Sequence, residues 1–215
     1  MNPELPPQMS DIPNEGYVKY QTQRVPKHLP EFSLFNSLNK IRTKLYNKNL
    51  IGLYPNGIGF GNISIRYRDE SFIISGTATG TENTLTKDQY CIVTSCDLRN
   101  NTVYTEGMID ASSESMSHGI IYATLPEINA VIHIHSRSIF DFMLAGKYPK
   151  TESHVPYGTP ELAFAIADLI TKTEKHDGIF VMGGHDEGII AYGKDLFTAY
   201  CLIKNLYEKA ILGGK

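Results

Sequence analysis

The chain has 215 residues, enough for one domain with a full hydrophobic core or for two small domains at most. Its hydrophobic content of 41% and its charged content of 20% are those of an ordinary globular protein. A net charge of −3, without any cluster of basic residues, argues against nucleic acid and anionic membranes as partners, because both require a basic surface.

The cellular compartment is inferred from the length of the hydrophobic runs and from the number of cysteines. No apolar run approaches the roughly 20 residues of a membrane span, and the polar first residues are not expected to form a secretory signal. The three cysteines, Cys91, Cys96 and Cys201, are too few for a disulfide framework. The sequence therefore predicts a cytoplasmic protein.

Residues 1–30 are rich in proline and polar side chains. This composition predicts an extended N-terminal arm, which becomes ordered only by packing on its own domain or on a neighbouring subunit. Residues 31–215 contain no internal repeat and no linker, and they are predicted to form one domain. The first helix of this domain is expected at about residues 33–48, where leucine and isoleucine recur every three to four residues.

Alternating apolar residues and turn signals predict the remaining elements in chain order. Strands are expected at 62–67, 72–75, 91–96, 102–105, 130–135, 178–182 and 189–192. The strands at 91–96 and 102–105 are expected to form a hairpin. Helices are expected from near Ser113 to before Pro126, from about Ser138, from Pro160 to about Thr173, and over 195–212. This order predicts a single-domain α/β/α sandwich with a central, largely antiparallel sheet and helices on both faces.

Two histidines separated by one residue lie in the apolar run Ala-Val-Ile-His-Ile-His at 130–135. Strand residues i and i+2 share one face, roughly 6.5–7 Å apart at Cα, so His133 and His135 can converge on one metal ion. A chance pair on a strand, or a buried histidine with ordinary hydrogen bonds, is the alternative. Further candidate ligands elsewhere in the chain favour the metal site.

Glu114 is expected in the first turn of the helix that precedes this strand, after the capping residues Ser112 and Ser113. An ordinary helix N-terminus with Glu114 facing water explains the same residues. His185 follows a predicted strand and the turn Gly183–Gly184, a position where functional groups often lie but where a lone histidine is more often a surface residue. Together with the two strand histidines, Glu114 and His185 make a His₃Glu set that suits Zn²⁺.

Three loops are candidates for an anion-binding cradle. Residues 59–62 (Gly-Phe-Gly-Asn) lead into a strand, residues 75–77 (Ser-Gly-Thr) end one, and Ser112-Ser113 begins a helix. Each offers backbone N–H groups together with a hydroxyl or an amide, which hold phosphate where no arginine cluster does. Ordinary turn chemistry explains each of these loops when it is taken alone.

The ordered set of motifs resembles the class II aldolase/adducin family over about residues 33–212. The matching stretches are Gly61-Asn62-Ile63-Ser64-Ile65-Arg66, Ile74-Ser75-Gly76-Thr77, Ser112-Ser113-Glu114, residues 128–135, the loop at His185 and Gly193-Lys194-Asp195-Leu196. The resemblance implies one Zn²⁺ per subunit, or another divalent metal in its place, held by Glu114, His133, His135 and His185. It also implies a substrate phosphate bound near Asn62, Thr77, Ser112 and Ser113.

The activity that the resemblance implies is that of a zinc-dependent aldolase, an aldehyde-lyase. Such an enzyme cleaves or forms a C–C bond in a phosphorylated ketose or related hydroxy-carbonyl compound through a metal-stabilised enediolate. The carboxylate of Glu114 is implied to leave the metal when substrate binds and to move the proton at the carbanion carbon. Members of the family are commonly homotetramers with sites at subunit interfaces, so a homo-oligomer, and specifically a tetramer, is expected.

The chain departs from the family pattern after the last proposed ligand. His185 is followed by Asp186-Glu187 before Gly188, whereas the aldolases usually have His-Gly. The tyrosine that assists proton transfer has two candidates, Tyr148 and Tyr157.

Two other functions stay open: dehydration or epimerisation of a sugar phosphate at the same metal, and a non-catalytic, adducin-like binding module. The complete His₃Glu set argues against the module, because a scaffold needs no convergent ligands.

Overall fold

A computed structural model describes residues 17–173 and 176–213 of the chain. The helices are α1 Phe35–Tyr46, α2 Ser115–Thr124, α3 Arg137–Ala145, α4 Pro160–Thr173 and α5 Leu196–Tyr207. The strands are β1 Gln21–Val25, β2 Gly52–Leu53, β3 Gly59–Phe60, β4 Asn62–Arg68, β5 Ser71–Ser75, β6 Tyr90–Asp97, β7 Thr102–Gly107, β8 Ala130–His135, β9 Gly178–Val181 and β10 Gly188–Gly193. In these two ranges no helix has the length and apolar character needed to cross a membrane.

Eight of these strands form one sheet, in the order β1-β7-β6-β5-β4-β8-β10-β9. Within the described part of the chain, β1 runs parallel to β7, and every other neighbouring pair in this sheet is antiparallel. The strands β2 and β3 form a separate two-stranded ribbon. The prediction of a central, largely antiparallel sheet is confirmed.

The sheet carries an apolar core on each face, because strand side chains alternate between the two faces. On one face, Ile132 and Ile134 of β8 pack with buried residues of α1, α3 and α5. On the other face, Val131 of β8 packs with buried residues of α2 and α4. The predicted sandwich with helices on both faces is therefore confirmed. His133 and His135 are in phase with Val131, so they lie on the face covered by α2 and α4.

Part of the segment predicted as an extended arm is a strand of the main sheet. Residues 21–25, as β1, pair in register with residues 102–106 of β7. The hydroxyl of Tyr20, just before β1, donates to the carbonyl oxygen of Ser112 at 2.8 Å and so ties this segment to the loop before α2. Residues 1–16 lie outside the described residues, and the division of the chain at residue 30 stays a prediction.

The helix expected from near Ser113 begins at Ser115, and Glu114 occupies the N-cap position with φ −91° and ψ 13°. Glu114 is thus one position before the first turn in which the sequence placed it. The cause is a local turn, because the carbonyl oxygen of Ser112 accepts from both the backbone N–H and the hydroxyl of Ser115, at 3.0 and 2.7 Å.

The strand β8 lies between β4 and β10, and this pairing places the neighbours of its two histidines. Asn62 of β4 and Ile190 of β10 flank His133, and Gly188 of β10 pairs with His135. The end of β8 therefore meets the start of β4 and the start of β10 at one place on the sheet.

Candidate metal centre and the cavity around it

His133 and His135 lie on one face of β8, as their spacing predicted, and both are buried. Their Nε2 atoms are 3.0 Å apart. His185 comes from the loop between β9 and β10, and its Nε2 lies 2.8 Å from the Nε2 of His135. The ligand nitrogens of the three histidines all lie within 4.8 Å of one another, which makes the cluster a candidate metal centre.

A tight turn directs His185 towards the two strand histidines. The backbone N–H of His185 donates to the carbonyl oxygen of Met182 at 3.0 Å, and the N–H of Gly188 donates to the carbonyl oxygen of His185 at 2.9 Å. A Cβ atom on Gly188 would lie 2.3 Å from Cδ2 of His185. The glycine therefore leaves the space that the His185 ring occupies.

Hydrogen bonds at Nδ1 set the tautomers of two of the histidines. Nδ1 of His133 lies 3.1 Å from the carbonyl oxygen of Ile189, which can only accept, so this nitrogen carries the proton. Nδ1 of His135 lies 2.8 Å from the hydroxyl of Tyr54, whose own proton is donated to the carboxylate of Glu187 at 3.0 Å. The Nε2 atoms of His133 and His135 therefore face each other as two lone pairs, an arrangement that a shared cation stabilises.

Burial keeps the three histidines neutral, because it penalises the charged imidazolium. It lowers the pKa of His133 to about 4, against a smaller opposite effect of the hydrogen bond to Ile189. It lowers the pKa of His135 and of His185 well below the usual value, and the neighbouring His133 lowers both further. Neutral imidazole is the form that binds a metal, so the cluster is suited to metal binding at neutral pH.

The donor set fits a zinc ion. Catalytic zinc sites commonly use three protein ligands and keep the fourth position open, and a site with three histidine ligands is one of the known types. Nitrogen ligands at about 2.0–2.1 Å in a tetrahedral site are roughly 3.3–3.4 Å apart. The Nε2 separations of 2.8 and 3.0 Å in this cluster are close to that spacing.

Glu114 lines the same cavity as the three histidines and is 1% exposed. The hydroxyl of Ser117, one turn along α2, donates to Oε2 of Glu114 at 2.7 Å and fixes the direction of the carboxylate. The structure thus brings Glu114 to the histidines, but the group of mutually close ligand atoms consists of the three histidine nitrogens. The predicted role of Glu114 as a fourth ligand stays a prediction.

The cavity in front of the histidines has a volume of about 450 Å³, a size typical of small-molecule sites. The four residues predicted to bind phosphate all line it: Asn62, Thr77, Ser112 and Ser113. Nδ2 of Asn62 donates to the hydroxyl of Ser112 at 2.8 Å. The backbone N–H of Thr77 already donates to the carbonyl oxygen of Asp110 at 2.9 Å, so Thr77 offers its hydroxyl rather than its backbone.

The loop after β5, residues 76–81, forms one wall of this cavity. Arg42 of α1 holds the loop from behind, and its guanidinium donates to the carbonyl oxygens of Thr79 at 2.7 Å and of Glu82 at 2.6 Å. Arg42 is 1% exposed, so the cation lies in the protein interior, bonded to backbone carbonyls. The wall of the cavity is therefore fixed by a buried arginine that the sequence analysis did not identify.

The two tyrosines considered for proton transfer lie in different places. Tyr157 packs against His185, with ring centroids 4.4 Å apart, and its hydroxyl accepts from the backbone N–H of Tyr17 at 3.3 Å. Tyr148 packs near Phe142 and lines a separate cavity beside β9. Of the two, the structure brings Tyr157 to the histidine cluster.

Lys19, a cation close to the site, was not identified from the sequence. Its ammonium lies 3.7 Å from the centre of the Tyr157 ring. Burial lowers the pKa of Lys19, and the Glu114 carboxylate acts in the opposite direction. No local motif marks this lysine, because it is the pairing of β1 with β7 that carries it to the site.

Comparisons with known proteins show the family to which the chain belongs. The family described as class II aldolase and adducin N-terminal domain matches residues 54–210. An L-fuculose phosphate aldolase of Methanococcus maripaludis is 32% identical over 188 residues, which is 80% of this chain and 92% of that protein. An L-fuculose phosphate aldolase of Methanocaldococcus jannaschii is 29% identical, over 80% of this chain and 91% of that protein.

A solved structure supports the fold. The L-fuculose-1-phosphate aldolase of Thermus thermophilus superposes with a TM-score of 0.61 at 22% identity, covering 83% of this chain and 91% of that one. The two curated relatives carry the same enzyme name, which agrees with the sequence-based prediction of a class II aldolase enzyme. From the family match over most of its length, the chain belongs to the class II aldolase and adducin family.

Proposed function

We propose that the chain is a zinc-dependent aldolase that cleaves or forms a C–C bond in a phosphorylated ketose or a related hydroxy-carbonyl compound. One observation carries the proposal: the Nε2 atoms of three buried histidines converge beside a buried carboxylate in a cavity of about 450 Å³. Both curated relatives are named L-fuculose phosphate aldolase, which supports a phosphorylated sugar as the substrate class.

His133, His135 and His185 would hold the metal, with Glu114 as the fourth ligand in the absence of substrate. When bound, a divalent ion such as Zn²⁺ supplies Lewis-acid polarisation of the substrate carbonyl. The chain contributes three neutral nitrogens in a buried site, and the hydrogen bonds at Nδ1 of His133 and His135 orient two of them.

Glu114 is assigned the proton transfer at the carbon next to the substrate carbonyl. The carboxylate is held at the N-cap of α2, and the Ser117 hydroxyl anchors one of its oxygens. A general base must lie within hydrogen-bond reach of the proton that it moves, and such a base contributes about 10²–10⁴-fold to the rate. The cavity beside Glu114 gives a substrate of this size access to the carboxylate.

The substrate phosphate is assigned to the side of the cavity that carries Asn62, Thr77, Ser112 and Ser113. These residues offer hydroxyl and amide groups near the start of α2, where the helix dipole favours an anion. The amide nitrogen of Asn62 donates to the hydroxyl of Ser112 at 2.8 Å, and its second N–H can be donated to a phosphate oxygen. A phosphate that contacts Ser112 would therefore extend an existing hydrogen-bonded pair.

We further infer a cytoplasmic homotetramer that binds a small molecule and neither nucleic acid nor membrane. The homotetramer is the assembly that the resemblance to the class II aldolase and adducin family implies. Light scattering on the purified protein should give a mass of about 96 kDa, four times the chain mass of 24.0 kDa. A mass near that of a single chain would contradict the tetramer.

The experiment that tests the activity is proton exchange on dihydroxyacetone phosphate in D₂O, followed by proton NMR, with and without a panel of aldehydes. We expect the zinc-loaded chain to exchange a hydroxymethyl hydrogen for deuterium and to form a condensation product with at least one aldehyde. Glu114→Gln should slow the exchange by about 10²–10⁴-fold, the contribution of a general base.

The other outcomes of this assay also decide the function. Exchange without condensation would favour a dehydratase or an epimerase in place of the aldolase. If the zinc-loaded chain shows neither exchange nor condensation, the proposed aldolase activity is wrong.

A further inference from the structure

Asp186 and Glu187, between His185 and Gly188, lie against the start of α3. Glu187 has a left-handed backbone conformation, with φ +63°, and its carbonyl oxygen accepts from the backbone N–H of Ser136 at 3.1 Å. Ser136 in turn caps α3, because its hydroxyl accepts from the N–H of Ile139. The position of Glu187 is thus fixed by the residue next to His135 in the chain.

The side chain of Glu187 is held by a salt bridge. Nε of Arg137 lies 3.3 Å from Oε1 of Glu187, and the same guanidinium also contacts Asp186 and, at 3.6 Å, Asp141. Arg137 therefore binds one carboxylate oxygen of Glu187, and the second oxygen faces Tyr54. The Glu187 side chain is 25% exposed, so this carboxylate lies at the edge of the protein interior.

A hydrogen-bonded relay runs from this carboxylate to the metal centre. The Tyr54 hydroxyl donates to Oε2 of Glu187 at 3.0 Å and accepts from Nδ1 of His135 at 2.8 Å. The Tyr54 ring packs on Phe60, with centroids 4.5 Å apart, which restricts the position of the hydroxyl. With Tyr54 already donating to a carboxylate, Nδ1 of His135 can only donate to it, and Nε2 is left as a lone pair.

We propose that Tyr54 and Glu187 are positioning residues, which hold the His135 ring in the Nδ1–H tautomer with Nε2 directed to the metal and so tighten metal binding. This inference rests on the proposed metal site. Partners of this kind, at the nitrogen of a histidine ligand that faces away from the metal, typically change metal affinity by about 10–100-fold.

The three histidines differ in how they are held, and this difference makes the relay testable. His133 is held by a backbone carbonyl, which no substitution of Ile189 removes. Nδ1 of His185 has no hydrogen-bond partner among the described residues. Of the three, His135 is the one whose Nδ1 is hydrogen-bonded to a side chain, so this hydrogen bond can be removed by substitution without changing a metal ligand.

The test is the zinc dissociation constant, measured by competition with a chromophoric chelator, for the full chain and for variants of the relay. We expect Tyr54→Phe to weaken zinc binding by about 10–100-fold, because it removes the hydroxyl and leaves the ring. Glu187→Ala should weaken binding in the same direction. Glu187→Gln should recover part of the loss, because the amide oxygen can still accept from Tyr54.

Asp186→Ala is the matched control. It removes the neighbouring carboxylate of the same loop and the same contact to Arg137, but Asp186 does not take part in the relay. Its zinc dissociation constant should stay within about twofold of that of the unaltered chain. Absorption spectra of the Co²⁺-loaded proteins give a second readout, since a reoriented His135 shifts the visible bands and a merely structural loss does not.

The outcomes separate the two proposals. If the unaltered chain binds no zinc, the metal site itself is wrong. If the unaltered chain binds zinc and Tyr54→Phe and Glu187→Ala bind it within twofold of the same affinity, the relay is overturned. An equal loss in Asp186→Ala and Glu187→Ala would also overturn it, because the cause would then be the charge of the loop. Melting curves of the metal-free variants check that each one is folded.

Discussion

His185 is the histidine of the cluster whose position depends most on packing. His133 and His135 each donate a hydrogen bond from Nδ1, whereas Nδ1 of His185 has no partner among the described residues. Its ring packs against Tyr157 on one side. On the other side it fills the space that is left because Gly188 has no side chain. A steric change at either place should therefore displace His185 and leave the other two histidines in position.

Gly188→Ala tests this dependence. The new Cβ would lie 2.3 Å from Cδ2 of His185, so the ring must move away from the cluster. We expect zinc to bind at least about tenfold more weakly, the effect of disturbing one ligand, and the metal-free protein to lose about 1–3 kcal/mol of stability, as overpacked sites do. Chelator competition and urea unfolding measure the two effects.

The control for this variant is Gly59→Ala, whose Cβ would meet no atom closer than 3.9 Å. It should bind zinc as the unaltered chain does. Unchanged zinc affinity in Gly188→Ala would mean that His185 is not a ligand.

At the scale of elements, α1 supports the cavity without lining it. Arg42 is the buried cation of this helix, and its guanidinium bonds three carbonyl oxygens of the segment 79–83. A guanidinium satisfies several carbonyls at once because its donors lie in a fixed plane. A helix on the opposite face of the sheet therefore holds the loop that carries Thr77.

Arg42→Lys should loosen this loop while the charge is kept. A lysine ammonium is a compact donor and cannot reproduce the planar fork, so some of the carbonyls lose their partner. We expect the dissociation constant for inorganic phosphate to rise about tenfold, equivalent to losing one hydrogen bond of about 1.5 kcal/mol, with the zinc content unchanged. Calorimetric titration with phosphate and metal analysis measure the two quantities.

Lys40→Arg makes the reverse exchange at an exposed position of α1 and should leave phosphate binding unchanged. Loss of zinc together with phosphate affinity in Arg42→Lys would show that Arg42 supports the whole centre rather than this loop.

Local patterns predicted most of the helices and strands and the candidate metal ligands. The alternation at 130–135 indicated a strand with two histidines on one face, and the turn signal at Gly183–Gly184 placed His185 in a loop, both as observed. Tyr54 and Lys19 could not be predicted, because their partners His135 and Tyr157 are far away in sequence and only the tertiary fold brings them together. Asp186 and Glu187, which separate His185 from Gly188, were visible in the sequence. The hydrogen bond from Tyr54 to Glu187 was not.

On the scale of the whole molecule, the site collects groups from distant parts of the chain. The histidines come from β8 and the loop before β10, Glu114 from the start of α2, and Lys19 from the segment before β1. An unfolded chain cannot present these groups together, so metal binding should add to the free energy of folding. The fold and the site are expected to be thermodynamically coupled.

Removal of the metal should therefore lower the melting temperature. At a free zinc concentration of a thousand times the dissociation constant, binding adds about 4 kcal/mol. For a chain of this size that corresponds to roughly 8–16 °C. Thermal unfolding with excess zinc and with a chelator measures the difference, and His133→Ala should show none. Equal melting temperatures in the unaltered chain would contradict the coupling.

Three histidines are proposed to hold one metal ion. Diffraction data collected on both sides of the zinc absorption edge, from crystals of the zinc-loaded protein, test this proposal most directly. We expect one anomalous peak per chain, about 2.0–2.1 Å from each Nε2 of His133, His135 and His185. A peak bound to other residues, or none at this cluster, would contradict the proposal.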